Sequence, residues 1–336
     1  MTRSGAHKFR RTALTLAAVM VFIGSLALTV NTLPKLELRG SKVPSKITIN
    51  RGTDPGADAF FVSRGQRELS HVALFHDIGP SIENARKADI LIIGNSRAQL
   101  GFNEEIFSRG AAKLGLRVFN LAVGHADSAR FARDVLSRHN LSPKVLIASG
   151  DFFFYGNRRS DWAQEVVEMN RWQAYKIFFE QSIAWQLQSR LHDYLPYLDY
   201  FKRGRYPWVH YRSQESGWWR NTRIPGARYP VRKGEERNRY TRSMSIAQEL
   251  KQELDDQGTL LVITLVPFPR FQTGHLPLFG DELDIPYIVP PFAGLETADG
   301  SHLAPDSAEK LSNYVWQQLI KDPQVRDRLG LPGEIL

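Results

Sequence analysis

Three short stretches hold side chains of the types that nucleophilic chemistry draws on. Gly94-Asn95-Ser96-Arg97 follows one apolar run, Asn120 to Gly124 closes a second, and Asp299-Gly300-Ser301-His302 stands just before a helical pattern near the C-terminus. A serine hydroxyl is a weak nucleophile and needs a neighbouring imidazole to take its proton. Ser96, just past a buried strand, stands at the carboxyl end of a sheet, where a following helix could point N–H groups at a bound anion. As plain structure it is a helix N-cap. Gly124 lets backbone approach a ligand closely, or merely permits a tight turn. Of nine histidines only His302 has an aspartate three positions earlier, Asp299. That pair follows the last expected strand, on the same sheet end as Ser96; otherwise His302 is a cap or surface histidine.

Other candidates are weaker. Gly124-His125-Ala126-Asp127-Ser128 looks site-like, although His125 lies next to a helix start. Arg97 could clamp an anionic substrate or form a surface ion pair. His275 sits in a loop with Pro and Gly and receives no role. No His or carboxylate spacing suggests a metal, and no cofactor is expected. The chain has no cysteine, which excludes thiolate nucleophiles, iron–sulfur clusters and Cys-ligated zinc.

The elements that must position these residues follow from hydrophobic periodicity. Continuous apolar runs at 88–94, 117–123, 144–149 and 259–266 read as strands buried on both faces. Helical spacing covers 81–87, 127–139, 243–257 and 305–320. Strands alternating with helices predict an α/β fold with a parallel sheet covered on both faces, its site at the carboxyl strand ends. The expected organisation is a core in two parts, 86–152 and 244–322, after a stalk and lead-in at 34–85 and before a tail at 323–336. Residues 153–243 interrupt the alternation. The stretch 151–243 holds six of the seven Trp (162, 172, 185, 208, 218, 219), and its fourteen Arg and three Lys face ten acidic residues. It reads as an α-helical cap whose Trp residues fill a small core of its own. A glycan- or membrane-facing surface is the other reading, since aromatic faces stack on sugar rings and Arg forks bind carboxylates or phosphates.

The 336 residues suffice for one large domain or two modest ones, and the net charge of +9 is uneven. No basic arm or nucleic-acid-binding motif accompanies it, so nucleic acid is not an expected partner. Residues 1–11 carry Arg3, Lys8, Arg10 and Arg11 without an acid, and 12–33 are apolar or small without a charge. That run is long enough to cross a hydrocarbon core of about 30 Å as a helix. The basic cluster before it predicts a cytoplasmic tail at 1–11 and a transmembrane anchor at 12–33. A cleaved signal peptide ending at Ser25-Leu26-Ala27 is the alternative, but the apolar run extends past that point. Arg10-Arg11 also faintly suggests a twin-arginine export signal. The expected location is the inner membrane, single-pass, with the bulk of the chain in the periplasm.

Taken together, the three stretches resemble the SGNH (GDSL-like) hydrolase superfamily over residues 86–152 and 244–322, not over the cap. The resemblance implies a flavodoxin-like three-layer α/β/α core with Ser96 as nucleophile, His302 as general base and Asp299 orienting His302. The N–H groups of Ser96 and Gly124 would form the oxyanion hole. Two departures stand out. The family's Gly-Asp-Ser block is Gly94-Asn95-Ser96 here, and its third block, Gly-x-Asn-Asp, is Ser149-Gly150-Asp151-Phe152. An ionised Asp151 cannot donate to an oxyanion. Either the hole has two donors or Asn157 substitutes, and Asp151 is then a structural cap or a substrate contact. This divergence is similar to membrane-tethered SGNH-like acyltransferases, such as the D-alanyl transfer protein of teichoic acid synthesis and alginate acetylation proteins. Those work beside a membrane-bound O-acyltransferase. The implied activity is serine-dependent O-acyl transfer, expected to be O-acetyl, from an acyl donor to an extracytoplasmic polysaccharide. With water as acceptor the same triad makes a carbohydrate esterase. A reading of a different class is a non-catalytic glycan-binding or scaffold protein of an envelope polysaccharide complex.

Overall fold

The computed structural model describes residues 49–51, 54–62, 67–124, 129–150, 158–194, 209–225, 228–232, 240–269 and 275–332. The chain divides into two units, 1–43 with 186–206, and 44–185 with 207–336; the site and its supports lie in the second. No helix among the described residues is long and apolar enough to cross a membrane. The expected anchor at 12–33 lies outside the described residues.

Strands β1 (Ile49–Arg51) and β2 (Ala59–Val62) precede helices α1 (Leu69–His76) and α2 (Ser81–Arg86). Strand β3 (Ile90–Ile93) leads through α3 (Ser96–Gly101) and α4 (Glu104–Lys113) to β4 (Val118–Asn120), α5 (Ala129–Arg138) and β5 (Val145–Ser149). Helices α6 (Asp161–Glu168) and α7 (Arg171–Tyr194) come before strands β6 (Val209–Ser213), β7 (Trp219–Pro225) and β8 (Tyr229–Pro230). Then come α8 (Tyr240–Asp255), β9 (Leu260–Thr264), α9 (His275–Leu283), β10 (Glu296–Thr297), α10 (Pro305–Lys321) and α11 (Pro323–Leu329).

The chain has an α/β fold with a four-stranded parallel sheet in the order β4-β3-β5-β9. Ile90, Leu91, Ile92 and Ile93 are all buried, because helices cover both faces of a parallel sheet and leave no polar side to its central strand. In register, Ile92 pairs with Asn120 on one side and Ile147 on the other. The chain leaves β3 outward to β4, then crosses back to β5. The order therefore reverses between β3 and β5, and Ser96, just past β3, opens at that switch point.

Among the described residues, the region expected as a helical cap is helical in its first part and strand-forming further on. After α6 and α7 it turns into β6 and β7, which join β1 and β2 in an antiparallel sheet ordered β1-β7-β6-β2. Phe61 pairs with Tyr211 in register and their rings meet edge to face at 5.3 Å. The aromatic and β-branched alternation of Val209–Ser213 suits a half-buried strand. One of its partners is the following strand β7, but the other, β2, lies about 150 residues earlier, beyond the reach of local periodicity. Nor do Trp162, Trp218 and Trp219 fill a core of their own: they are buried in the same cluster as the parallel sheet, while Trp172 is exposed. Residues 69–76, read as lead-in, form α1, buried along its whole length.

The antiparallel sheet is fastened to the helices behind the site. Trp218 Nε1 donates to the Phe102 carbonyl at 2.7 Å. Arg220 reaches both Glu104, at 2.7 Å, and Asp58, at 3.0 Å, an arrangement that raises its pKa further.

Candidate active site

Asn95, between β3 and α3, caps the helix: its Oδ1 accepts the N–H of Arg97 at 2.9 Å. The capping role thus falls to Asn95, not to Ser96, which begins the helix and is half-buried. As the first residue of α3, Ser96 has no carbonyl four residues back inside the helix to receive its N–H.

His302 arrives from a tight loop between β10 and α10. Ala298 N donates to the His302 carbonyl at 2.8 Å, and Ala304 N to that of Glu296 at 2.9 Å. At the loop's tip Asp299 Oδ1 accepts the N–H groups of Ser301 at 2.9 Å and His302 at 2.8 Å, an Asx turn. Gly300 between them has φ +83°, a left-handed conformation that glycine adopts without a Cβ penalty. The turn leaves Asp299 Oδ2 facing His302 Nδ1 at 2.8 Å, and His302 Nε2 lies 2.9 Å from Ser96 Oγ.

The structure thus brings Ser96 together with the Asp299–His302 pair, more than 200 positions further along the sequence. With Nδ1–H donating to Asp299, Nε2 is the acceptor for the Ser96 hydroxyl proton. Burial opposes ionisation of Asp299. The hydrogen bond and charge of His302, together with two backbone N–H groups, outweigh it and hold the carboxyl at about 2, well below the usual carboxylate range. This is what a nucleophilic serine requires: an oriented base, and a fixed negative charge to stabilise the imidazolium that forms.

No protein-family model, curated protein or solved structure matches the chain.

Gly124 lies near the triad but its amide is engaged. Val123 N donates to the Gly94 carbonyl at 3.1 Å, which brings the end of β4 beside the turn into α3. One residue on, Gly124 N donates to Glu68 Oε2 at 2.9 Å, and both groups are buried. A developing oxyanion must displace a carboxylate to use this donor. Arg212, fully buried on β6, donates to the Ala122 carbonyl at 2.8 Å and to that of Asn120 at 2.5 Å. Burial pushes its guanidinium down to about 9, against the opposing attraction of Glu68, so it remains cationic at neutral pH. Gln99, one turn along α3 from Ser96, donates to Ala122 O and accepts the Trp219 N–H at 2.7 Å.

Arg97 lies with its guanidinium 3.8 Å over the Phe268 ring, a cation–π contact. His275 is buried against Phe279 on α9. His125, Asp151 and Asn157 lie outside the described residues. Sequence reasoning passed over Glu68, Gln99 and Arg212. Arg212 looks like any charge in an alternating strand. Glu68 left one faint signal, an acid abutting a helix that is apolar nearly all round.

Proposed function

We propose that the chain performs serine-dependent O-acyl transfer to an extracytoplasmic polysaccharide, with acetyl as the acyl group, as a membrane-anchored periplasmic member of the SGNH superfamily. The observation that carries this reading is the Ser96–His302–Asp299 chain, linked at 2.9 Å and 2.8 Å. Ser96 Oγ attacks the donor's acyl carbonyl while its proton passes to His302 Nε2. The tetrahedral intermediate collapses, and the leaving group takes that proton from His302. A sugar hydroxyl then gives its proton to His302 and attacks the acyl-enzyme. Ser96 leaves and recovers the proton, and the acylated sugar departs. A membrane-bound O-acyltransferase is the proposed source of the acyl donor.

A second reading keeps the triad and makes water the acceptor, giving a carbohydrate esterase. It is favoured by the solvent exposure of the pair: the His302 and Asp299 side chains are 20% and 28% exposed. The engaged Gly124 amide favours a third, a non-catalytic scaffold. One experiment separates them. Full-length protein in detergent, beside Ser96→Ala, is treated with a serine-reactive fluorophosphonate and given a chromogenic acetyl ester, with and without a soluble oligosaccharide. Labelling and turnover that vanish in Ser96→Ala, with acetyl recovered on the sugar, support transfer. Acetate release alone selects the esterase. Folded wild-type protein that neither labels nor turns over overturns the catalytic readings.

A further inference from the structure

We infer that the outer face of helix α7 is a membrane-docking surface, seated in the headgroup region of the bilayer; the inference rests on the membrane-anchored part of the reading above. The helix begins with a reciprocal cap, in which Asn170 Oδ1 accepts from Gln173 N at 3.0 Å and Gln173 Oε1 from Asn170 N at 2.9 Å. Its inner face is used by the fold: Ala174 is buried, Ile177 packs on the core, and the Phe178 ring meets Phe60 edge-on at 5.4 Å. The opposite face is apolar too. Trp172, Tyr175, Phe179 and Ile183 are 78%, 38%, 68% and 50% exposed. Their spacing of three, four and four places them in one stripe.

Scattered exposed apolar residues are ordinary, but a contiguous stripe is not. Of ten large hydrophobics exposed among the described residues, five lie on this one helix, so the face is a patch. Three features select lipid as its occupant. Trp and Tyr are the side chains that settle at membrane–water interfaces, one end apolar and the other wet. Arg171, set over the Tyr175 ring, and Lys176, 4.0 Å from Glu180, flank the stripe and offer cations to anionic headgroups. Finally, the apolar run at 12–33 ends sixteen positions before Ile49, a tether that spans at most about 55 Å when fully extended, so the domain cannot leave the membrane's vicinity.

The absence of cysteine makes the test clean. Phe179→Cys, and Lys113→Cys as an exposed control on α4, are labelled in the full-length chain with an environment-sensitive fluorophore. Each is reconstituted into vesicles of phosphatidylethanolamine with a minority of phosphatidylglycerol, with and without lipid doxyl-labelled near the headgroup. Seating at the acyl boundary predicts quenching of about half the signal at position 179 and little at 113. Vesicle-bound protein in which 179 is as unquenched and water-accessible as 113 overturns the docking while leaving the anchor intact. Shielding of 179 from aqueous iodide without quenching by lipid also overturns it, since a protein surface then covers the stripe. Protein that does not float with vesicles at all overturns both the anchor and the docking.

Discussion

The carboxylate of Glu68 accepts the N–H of Gly124 at 2.9 Å, on the backbone segment that leaves β4 beside the turn into Ser96. Arg212 holds the same segment through the carbonyls of Asn120 and Ala122. An anion on the amide and a cation on the carbonyls fix the segment along its length, and each charge offsets the desolvation of the other. The arrangement orients the Gly124 amide while keeping it occupied. On the proposed acyl-transfer reading, the oxyanion either displaces Glu68 or draws on the N–H of Ser96.

Gly124→Ala tests how closely these groups fit. A Cβ at this position would stand 1.6 Å from Glu68 Oε1, so the carboxylate has to move. The substitution is expected to cost about 2 kcal/mol in urea unfolding, as an overpacked buried site does. Glu68→Ala removes the obstruction, so the two changes couple by about 1 kcal/mol or more in a double-mutant cycle. Strict additivity would show that Glu68 does not occupy this place in solution.

Asp299→Asn separates the two duties of Asp299. The asparagine Oδ1 can still accept the N–H groups of Ser301 and His302, so the turn survives and the melting temperature changes little. Its side-chain N–H₂, facing His302 Nδ1, instead favours the tautomer that protonates Nε2, which cannot take the Ser96 proton. Ester turnover is expected to fall about 10³- to 10⁴-fold in kcat with KM nearly unchanged. A loss below tenfold would mean that Asp299 does not orient the base.

The same carboxylate sets a pH dependence of stability. Its pKa is about 2 in the folded chain against an ordinary 3.8, so its stabilising contribution is complete above pH 3.8 and is lost as pH falls through about 2. The carboxylate is 28% exposed and screened by water, so the contribution is about 1 kcal/mol. Wild type should therefore lose about 1 kcal/mol more than Asp299→Asn between pH 4 and pH 2, read from urea midpoints. Parallel curves for the two proteins would disprove the linkage.

The parallel sheet was legible because burial on both faces writes itself into sequence as unbroken apolar runs, such as Ile90–Ile93 and Val145–Ser149. The runs do not fix the order β4-β3-β5-β9, because right-handed crossovers permit several orders. The juxtaposition of Ser96 with His302 is legible even so, because both stand at the carboxyl end of that sheet. The supports behind the site were not legible. Arg212 reaches Ala122 across 90 positions, and Gln99 reaches Gly217 across 118, through an antiparallel sheet whose strands are short and far apart in sequence. Helix α7 fell inside the expected helical cap, but its bounds and exposed stripe escaped notice for another reason: apolar on two faces, it has no clear amphipathic period.

Arg212 offers the sharpest test of that hidden support. Arg212→Met fills much of the same volume but removes the donors to Asn120 O and Ala122 O, and leaves Glu68 buried without its countercharge. Leaving a buried charge uncompensated costs about 3–5 kcal/mol, far more than the loss of a surface charge. Neutralising both partners with Arg212→Met and Glu68→Gln should restore most of that stability, because the uncompensated charge is gone. The double variant frees the Gly124 amide from a full negative charge, so its ester turnover should exceed that of Arg212→Met. Urea unfolding and steady-state kinetics on the three proteins read both effects. A double variant no more stable than Arg212→Met alone would show that the two charges do not compensate each other, and that Arg212 acts only through its carbonyl bonds.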